Sequence, residues 1–143
     1  MAPFPGLELT IPFSHIDAFG HVNHARYLEY FEQARFAWAA WYGMPIDQMM
    51  VEGYGPAIIS AQVRWRRELR MNERVRVTVD ALSARRGIGR VHQQIWRLAG
   101  EEPELCAEGE LAFVMLDLKE RTLRALPEIF VGLVAAKALT QQK

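Results

Sequence analysis

Between Val22 and Tyr42 the chain runs without a glycine or a proline, and the run stops at Gly43-Met44-Pro45. Gly and Pro just past such a run are helix stop signals, so the segment predicts one long helix. Tyr27, Phe31, Ala34, Trp38 and Trp41 recur at three- and four-residue spacing, and Leu28, Tyr30, Phe36, Ala37 and Ala39 spread apolar character around the cylinder. A helix this apolar is expected to be covered on most sides, with Arg26, Glu29 and Gln33 as a narrower polar stripe. The rest of the chain reads by twos. Ile59, Ala61, Val63 and Trp65 alternate with Ser60, Gln62, Arg64 and Arg66, the period of a half-buried strand. Val75, Val77, Val79 and Ala81 repeat the pattern, and Gly89 to Leu98 carries it more weakly. Leu111 to Leu116 is apolar on both faces, as a strand covered on both sides should be.

Turn formers separate these runs at Arg70–Glu73, Arg85–Gly89 and Gly100–Pro103, and short connections favour antiparallel neighbours. The expected order is a short strand from Leu7 to Phe13, the long helix, then a meander of four strands. Arg124–Leu126 would add a strand end and Pro127–Leu139 a terminal helix. This is α+β: one curved antiparallel sheet wrapped around one long central helix.

Composition narrows the function classes. A chain of 143 residues, 50% apolar and 24% charged, fits one globular domain spanning 1–143, and no repeat or linker divides it. Seventeen basic residues balance seventeen acidic ones, so no net field favours a nucleic-acid backbone. The single Cys106 removes an intrachain disulfide framework and any multi-Cys metal site, and reads as a small core residue. No apolar run approaches the roughly 18–20 residues of a membrane span. Met1 to Pro12 lacks the basic start and apolar core of a signal peptide, so a cytoplasmic protein is expected.

The chemically dense stretch is Ser14 to Tyr27, where His15, His21 and His24 surround Asp17. Asn23 suits the role of a helix cap. Asp17 lies too far upstream to cap the same helix, so it either organises the loop as an Asx turn or serves chemistry. A carboxylate beside a helix N-terminus faces free N–H groups and a positive dipole end, which could set a base next to an oxyanion site. The spacing His-x-Asp-x3-His-x2-His supplies only part of a zinc site, and no metal is expected. Ser14, Ser60 and Ser83 stand in no nucleophile elbow.

The stretch His15 to Arg35, HIDAFGHVNHARYLEYFEQAR, resembles the hot-dog fold acyl-CoA thioesterases of the 4-hydroxybenzoyl-CoA thioesterase class. Asp17, Gly20, Val22 and Tyr27 match the loop-and-helix pattern of that family, and Glu32-Gln33-Ala34-Arg35 looks like its Glu-x-Ala-Arg. The resemblance implies that Asp17 attacks the thioester or activates a water, while backbone amides near His24 bind the thioester oxygen. Gly20, His21, Val22, Asn23 and Tyr27 would contact substrate, and no cofactor is needed. Many relatives carry a second Asn where this chain has His24, so a side-chain role there is not implied. A carboxylate in the middle of the helix could only be Glu29 or Glu32, and ranks below Asp17.

The substrate would be carried by coenzyme A or an acyl-carrier protein. Arg85, Arg86 and Arg90, flanking a Gly-containing turn, would hold the coenzyme A phosphates, since a guanidinium fork suits phosphate. Arg64, Arg66, Arg67 and Arg70 are left unassigned to the ligand. A homodimer or homotetramer is implied as well. Two other readings stand beside hydrolysis: a hydratase or dehydratase using His15 or His21 with Asp17, and a non-catalytic acyl-thioester binding module.

Overall fold

The structure, a computed structural model, describes residues 2–141. The long helix α1 spans Arg26–Trp41. It begins later than the apolar run because Asn23 takes the capping role. Its Oδ1 accepts from Ala25 N–H at 3.0 Å, and its carbonyl accepts from Arg26 N–H at 2.9 Å. The helix buries one face, Tyr27, Tyr30, Phe31, Ala34 and Trp38. Leu28, Glu29, Glu32 and Gln33 on the other side are exposed, so in the single chain α1 is not covered on most sides.

Among the described residues, seven strands form one sheet: β1 (Leu7–Thr10), β2 (Tyr54–Trp65), β3 (Arg74–Val77), β4 (Asp80–Arg85), β5 (Ile88–Arg97), β6 (Glu104–Asp117) and β7 (Leu123–Arg124). Their order is β1-β3-β5-β6-β2, with β4 paired to β5 and β7 to β6. The opening strand ends at Thr10, and Phe13–His15 forms a turn of 3-10 helix instead. The run expected as one strand over Val75–Ala81 is two, β3 and β4, both antiparallel to β5. Thr78 and Val79 join them, and the register shifts again between Ala81 and Ser83. Arg86 and Gly87 both have positive φ (55° and 77°), the signature of a two-residue hairpin turn between β4 and β5.

The simple meander needs a correction. β2 lies at the sheet edge beside β6, not beside β3. Eight residues, 66–73, connect β2 to β3, long enough to cross rather than turn back. β2 is exposed on both of its faces over most of its length. Ile59 is 52% and Trp65 48% exposed, where the alternation predicts a buried row. On β6, by contrast, Leu111, Ala112 and Phe113 are buried in succession, as a strand covered on both faces requires. A short helix α2 (Ile46–Glu52), bracketed by Pro45 and Gly53, was not foreseen, and α3 covers Glu128–Gln141.

The chain divides into two compact units. The first comprises the chain up to Trp38 with Val63–Val79 and Gln93–Gly109. Its core holds Phe31, Ile11, Leu69, Val75 and Ile95, together with the fully buried Gln93. Gln93 accepts from Arg35 Nη1 at 2.8 Å and donates to the Phe31 carbonyl at 3.0 Å, so the buried amide is satisfied. Burial pulls the Arg35 guanidinium below its ordinary pKa. The second unit comprises Ala39–Gln62, Asp80–His92 and the chain from Glu110 on. Phe113 and Phe130 meet edge to face there, 5.0 Å between centroids. Among the described residues, no helix is long and apolar enough to cross a membrane.

Candidate active site

Asp17 opens a tight loop in the first unit. Its N–H donates to the His21 carbonyl at 2.9 Å, its carbonyl accepts from Gly20 N–H at 3.1 Å, and Ile16 bridges Val22. Gly20 sits at φ +86°, which only glycine adopts without strain, so the loop closes there. Oδ1 of Asp17 accepts from Phe19 N–H at 2.9 Å, an Asx turn. The loop-organising reading therefore holds for one carboxylate oxygen. The other, Oδ2, lies 3.8 Å from His21 Nε2.

The loop is tied down on two sides. Val22 N–H donates to the Leu69 carbonyl at 2.8 Å, and Asn23 N–H to the His15 carbonyl at 3.0 Å. His15 is held in turn by α1: its Nδ1 is 2.7 Å from the Tyr30 hydroxyl, with the two rings stacked. Burial pushes the Tyr30 phenol well above its ordinary pKa, which keeps that hydroxyl protonated. The Tyr27 phenol is likewise pushed up to about 12 by burial.

A cavity of about 550 Å³ opens against this loop. Asp17, His21, Val22, Asn23, His24 and Tyr27 all line it, so the contiguous motif is brought together except for Gly20, which shapes the turn. His15 stays outside with Tyr30, and Glu29 is paired with Arg26 at 3.0 Å instead of facing the cavity. Arg85, Arg86 and Arg90 lie exposed at and beside the β4–β5 turn and do not line this cavity.

Five further lining residues were not anticipated: Phe19, Trp65, Arg66, Arg67 and Glu68. Trp65 presents its indole edge-on to both His24 and Tyr27, each at 6.2 Å between centroids. Arg66 and Arg67, unassigned from the sequence, reach the cavity because the strand alternation fails where β2 ends. Both of their N–H groups donate to the Cys106 carbonyl, at 2.8 and 3.0 Å. Two successive amides on one carbonyl make a bulge, which breaks the period of two. Each guanidinium is ion-paired, Arg66 with Glu108 at 3.0 Å and Arg67 with Glu104 at 3.4 Å.

The helix N-terminus supplies donors. The amides of Val22, Asn23, Ala25 and Arg26 all have protein acceptors. Among the described residues, the amide of His24 has none, and His24 borders the same cavity as Asp17. A carboxylate and an uncommitted amide beside one cavity can act together on a carbonyl group: one at its carbon, the other at its oxygen.

The family model of the thioesterase-like superfamily matches residues 11–136. The long-chain acyl-CoA thioesterase FadM of Escherichia coli (strain K12) is 28% identical over 123 residues, covering 83% of this chain and 88% of the relative. The 1,4-dihydroxy-2-naphthoyl-CoA thioesterase of Synechocystis superposes with a TM-score of 0.78 at 17% identity, over 90% of this chain and 93% of that one. A 4-hydroxybenzoyl-CoA thioesterase in complex with 4-hydroxybenzoyl-CoA superposes equally well, TM-score 0.78 at 17% identity, over 90% and 96%. The fold is the hot-dog fold.

Proposed function

Because the chain belongs to the thioesterase-like superfamily, we propose that it hydrolyses an acyl-CoA thioester to the free acid and coenzyme A. The observation that carries the reading is the pairing of Asp17 with the uncommitted His24 amide on one cavity. The thioester oxygen accepts from that amide, and one preorganised donor to a developing oxyanion is worth about 3 kcal/mol. Oδ2 of Asp17 then acts in one of two ways. It attacks the carbonyl carbon to give an anhydride that water cleaves, or it takes a proton from a water that attacks in its place. In the water route the departing thiolate takes up the proton held by Asp17. In the anhydride route it leaves first and is protonated from solvent, and water then cleaves the anhydride to restore the Asp17 carboxylate. Thiolate is a good leaving group, so no dedicated acid is required. His21, Val22, Asn23 and Tyr27 line the cavity as substrate contacts, and Gly20 holds the turn.

Free-thiol release from short-chain, long-chain and aromatic acyl-CoAs tests this directly. Binding without release on every member would leave the acyl-thioester binding module and the hydratase. A hydratase reading draws on His21, which stands near Asp17. Hydration of an enoyl-CoA with no thiol release would select it.

Coenzyme A phosphates need cations, and we assign them to Arg85, Arg86 and Arg90. Among the described residues these three guanidinia have no ion-pair partner, whereas Arg66 and Arg67 are neutralised by Glu108 and Glu104. Replacing the three by Gln should raise KM for acyl-CoA with kcat little changed, the mark of lost uniform binding. A truncated thioester lacking the nucleotide should be unaffected. Equal losses on both substrates would make the turn structural.

The edge strand β2 supports assembly into a homodimer or homotetramer. It carries exposed Ile58 (42%), Ile59 (52%) and Trp65 (48%) along an unpaired row of backbone groups, a combination that soluble chains usually cover. Sedimentation at micromolar concentration should give at least a dimer, and Ile59→Lys should shift it toward monomer. A wild-type protein that sediments only as monomer would count against the assignment.

A further inference from the structure

His21 stands between two carboxylates. Its Nδ1 is 3.4 Å from Glu68 Oε2, and its Nε2 is 3.8 Å from Asp17 Oδ2. The two acids are arranged alike. Asp17 commits Oδ1 to the Phe19 amide and leaves Oδ2 toward the imidazole. Glu68 commits Oε1 to Arg70, whose Nε donates at 2.9 Å, and leaves Oε2 toward the same imidazole. Glu68 is also fixed through its backbone, because its carbonyl accepts from Arg97 Nη1 at 2.9 Å. Arg97 is anchored by Glu73 at 3.1 Å and Glu104 at 2.6 Å, so the segment carrying Glu68 is held from behind. The Arg70 guanidinium holds the Glu68 carboxyl below the usual carboxylate range, keeping it an acceptor.

We propose that Glu68 is a positioning residue of the site: it accepts the Nδ1 proton of His21 and thereby presents Nε2 to Oδ2 of Asp17. The inference rests on the reading of Asp17 as the reacting carboxylate. Which imidazole nitrogen carries the proton is set by the partner of the other. With Nδ1–H directed at Glu68, a neutral ring offers its Nε2 lone pair beside Oδ2. Two acceptors 3.8 Å apart are close enough to share one water, each taking one of its O–H groups. That water keeps a lone pair for the thioester carbon and gives up one proton to Asp17. Without Glu68 the ring is free to turn over or to move its proton to Nε2, where it would compete for Oδ2.

The test combines a double-mutant cycle with ring-nitrogen NMR. Glu68→Ala should lower kcat by about 10- to 100-fold with little change in KM, and so should His21→Ala; loss of a group that orients a reacting residue falls in this range. The double variant should be no slower than His21→Ala alone, because Glu68 acts only through the ring. Glu68→Gln, which keeps an acceptor for Nδ1–H, should recover much of the activity. Arg70→Ala, which frees Oε1 of Glu68, should give a smaller loss of the same kind, because the carboxylate itself remains. In 15N-histidine-labelled wild type at a pH where the ring is neutral, the His21 proton should reside on Nδ1, and in Glu68→Ala it should shift toward Nε2. Additive kinetic effects or an unchanged His21 spectrum would each overturn the proposal. The spectrum needs no turnover, so failure of this inference and failure of the thioesterase reading are told apart.

Discussion

Asp17→Asn is expected to lower kcat for thioester hydrolysis by at least about 100-fold, the lower end for a positioned acid or base. The substitution separates the two jobs of the side chain. Asn can still accept from Phe19 N–H through its oxygen, so the Asx turn and the loop it closes should survive. What is lost is the charge at Oδ2, the oxygen that lies beside His21 in a residue lining the cavity. Thermal unfolding should therefore stay close to wild type while thiol release collapses. Asp17→Glu should fail almost as badly, because a carboxylate displaced by about 1 Å can cost roughly 100-fold. His24→Ala should be mild, since the backbone amide remains. An Asp17→Asn protein that hydrolyses acyl-CoA at near wild-type rate would remove Asp17 from the chemistry.

The half of this site that lies in one stretch of sequence is the half that was legible. Asp17, His21, Val22, Asn23, His24 and Tyr27 follow one another along a loop and the first turn of a helix, where spacing alone brings side chains together. Trp65 to Glu68 reach the same cavity from the end of an edge strand, far along the chain. Nothing local announces that meeting. The Val22 amide bond to the Leu69 carbonyl, which ties the two segments together, is a backbone contact and leaves no residue signature. Alternation identified β2 as a strand but could not say which neighbour it takes or whether anything covers its apolar row. The bulge at Arg66 and Arg67 ends that alternation, so the period of two says nothing of the faces beyond it. The helix shows the opposite limit: apolar residues all round α1 were visible, but the exposed side of Leu28, Glu29 and Glu32 depends on what else surrounds it.

Gly89→Ala is expected to cost about 1–3 kcal/mol of stability, the usual penalty for overpacking a filled core. Glycine is required at this strand position for space, not for backbone freedom. A Cβ built there would lie 2.5 Å from both Cε1 and Cζ of Phe113 and 3.0 Å from Cε1 of Phe130. Real Cβ atoms do not approach so closely, so a ring or the strand must move. Neither ring has room to yield: Phe113 is 8% and Phe130 1% exposed, and each is the other's edge-to-face partner. Phe130 is the buried residue of α3, so displacing it would also loosen that helix. For a chain of this size each kcal/mol corresponds to about 2–4 °C in Tm, so calorimetry should find Gly89→Ala lower by several degrees. Gly132→Ala is the matched control. It lies within α3 with nothing within 4 Å of its added methyl, and alanine there should raise stability by roughly 0.5–1 kcal/mol. If both variants unfold at the wild-type temperature, the close packing of Gly89 against the two rings is not a feature of the folded protein in solution.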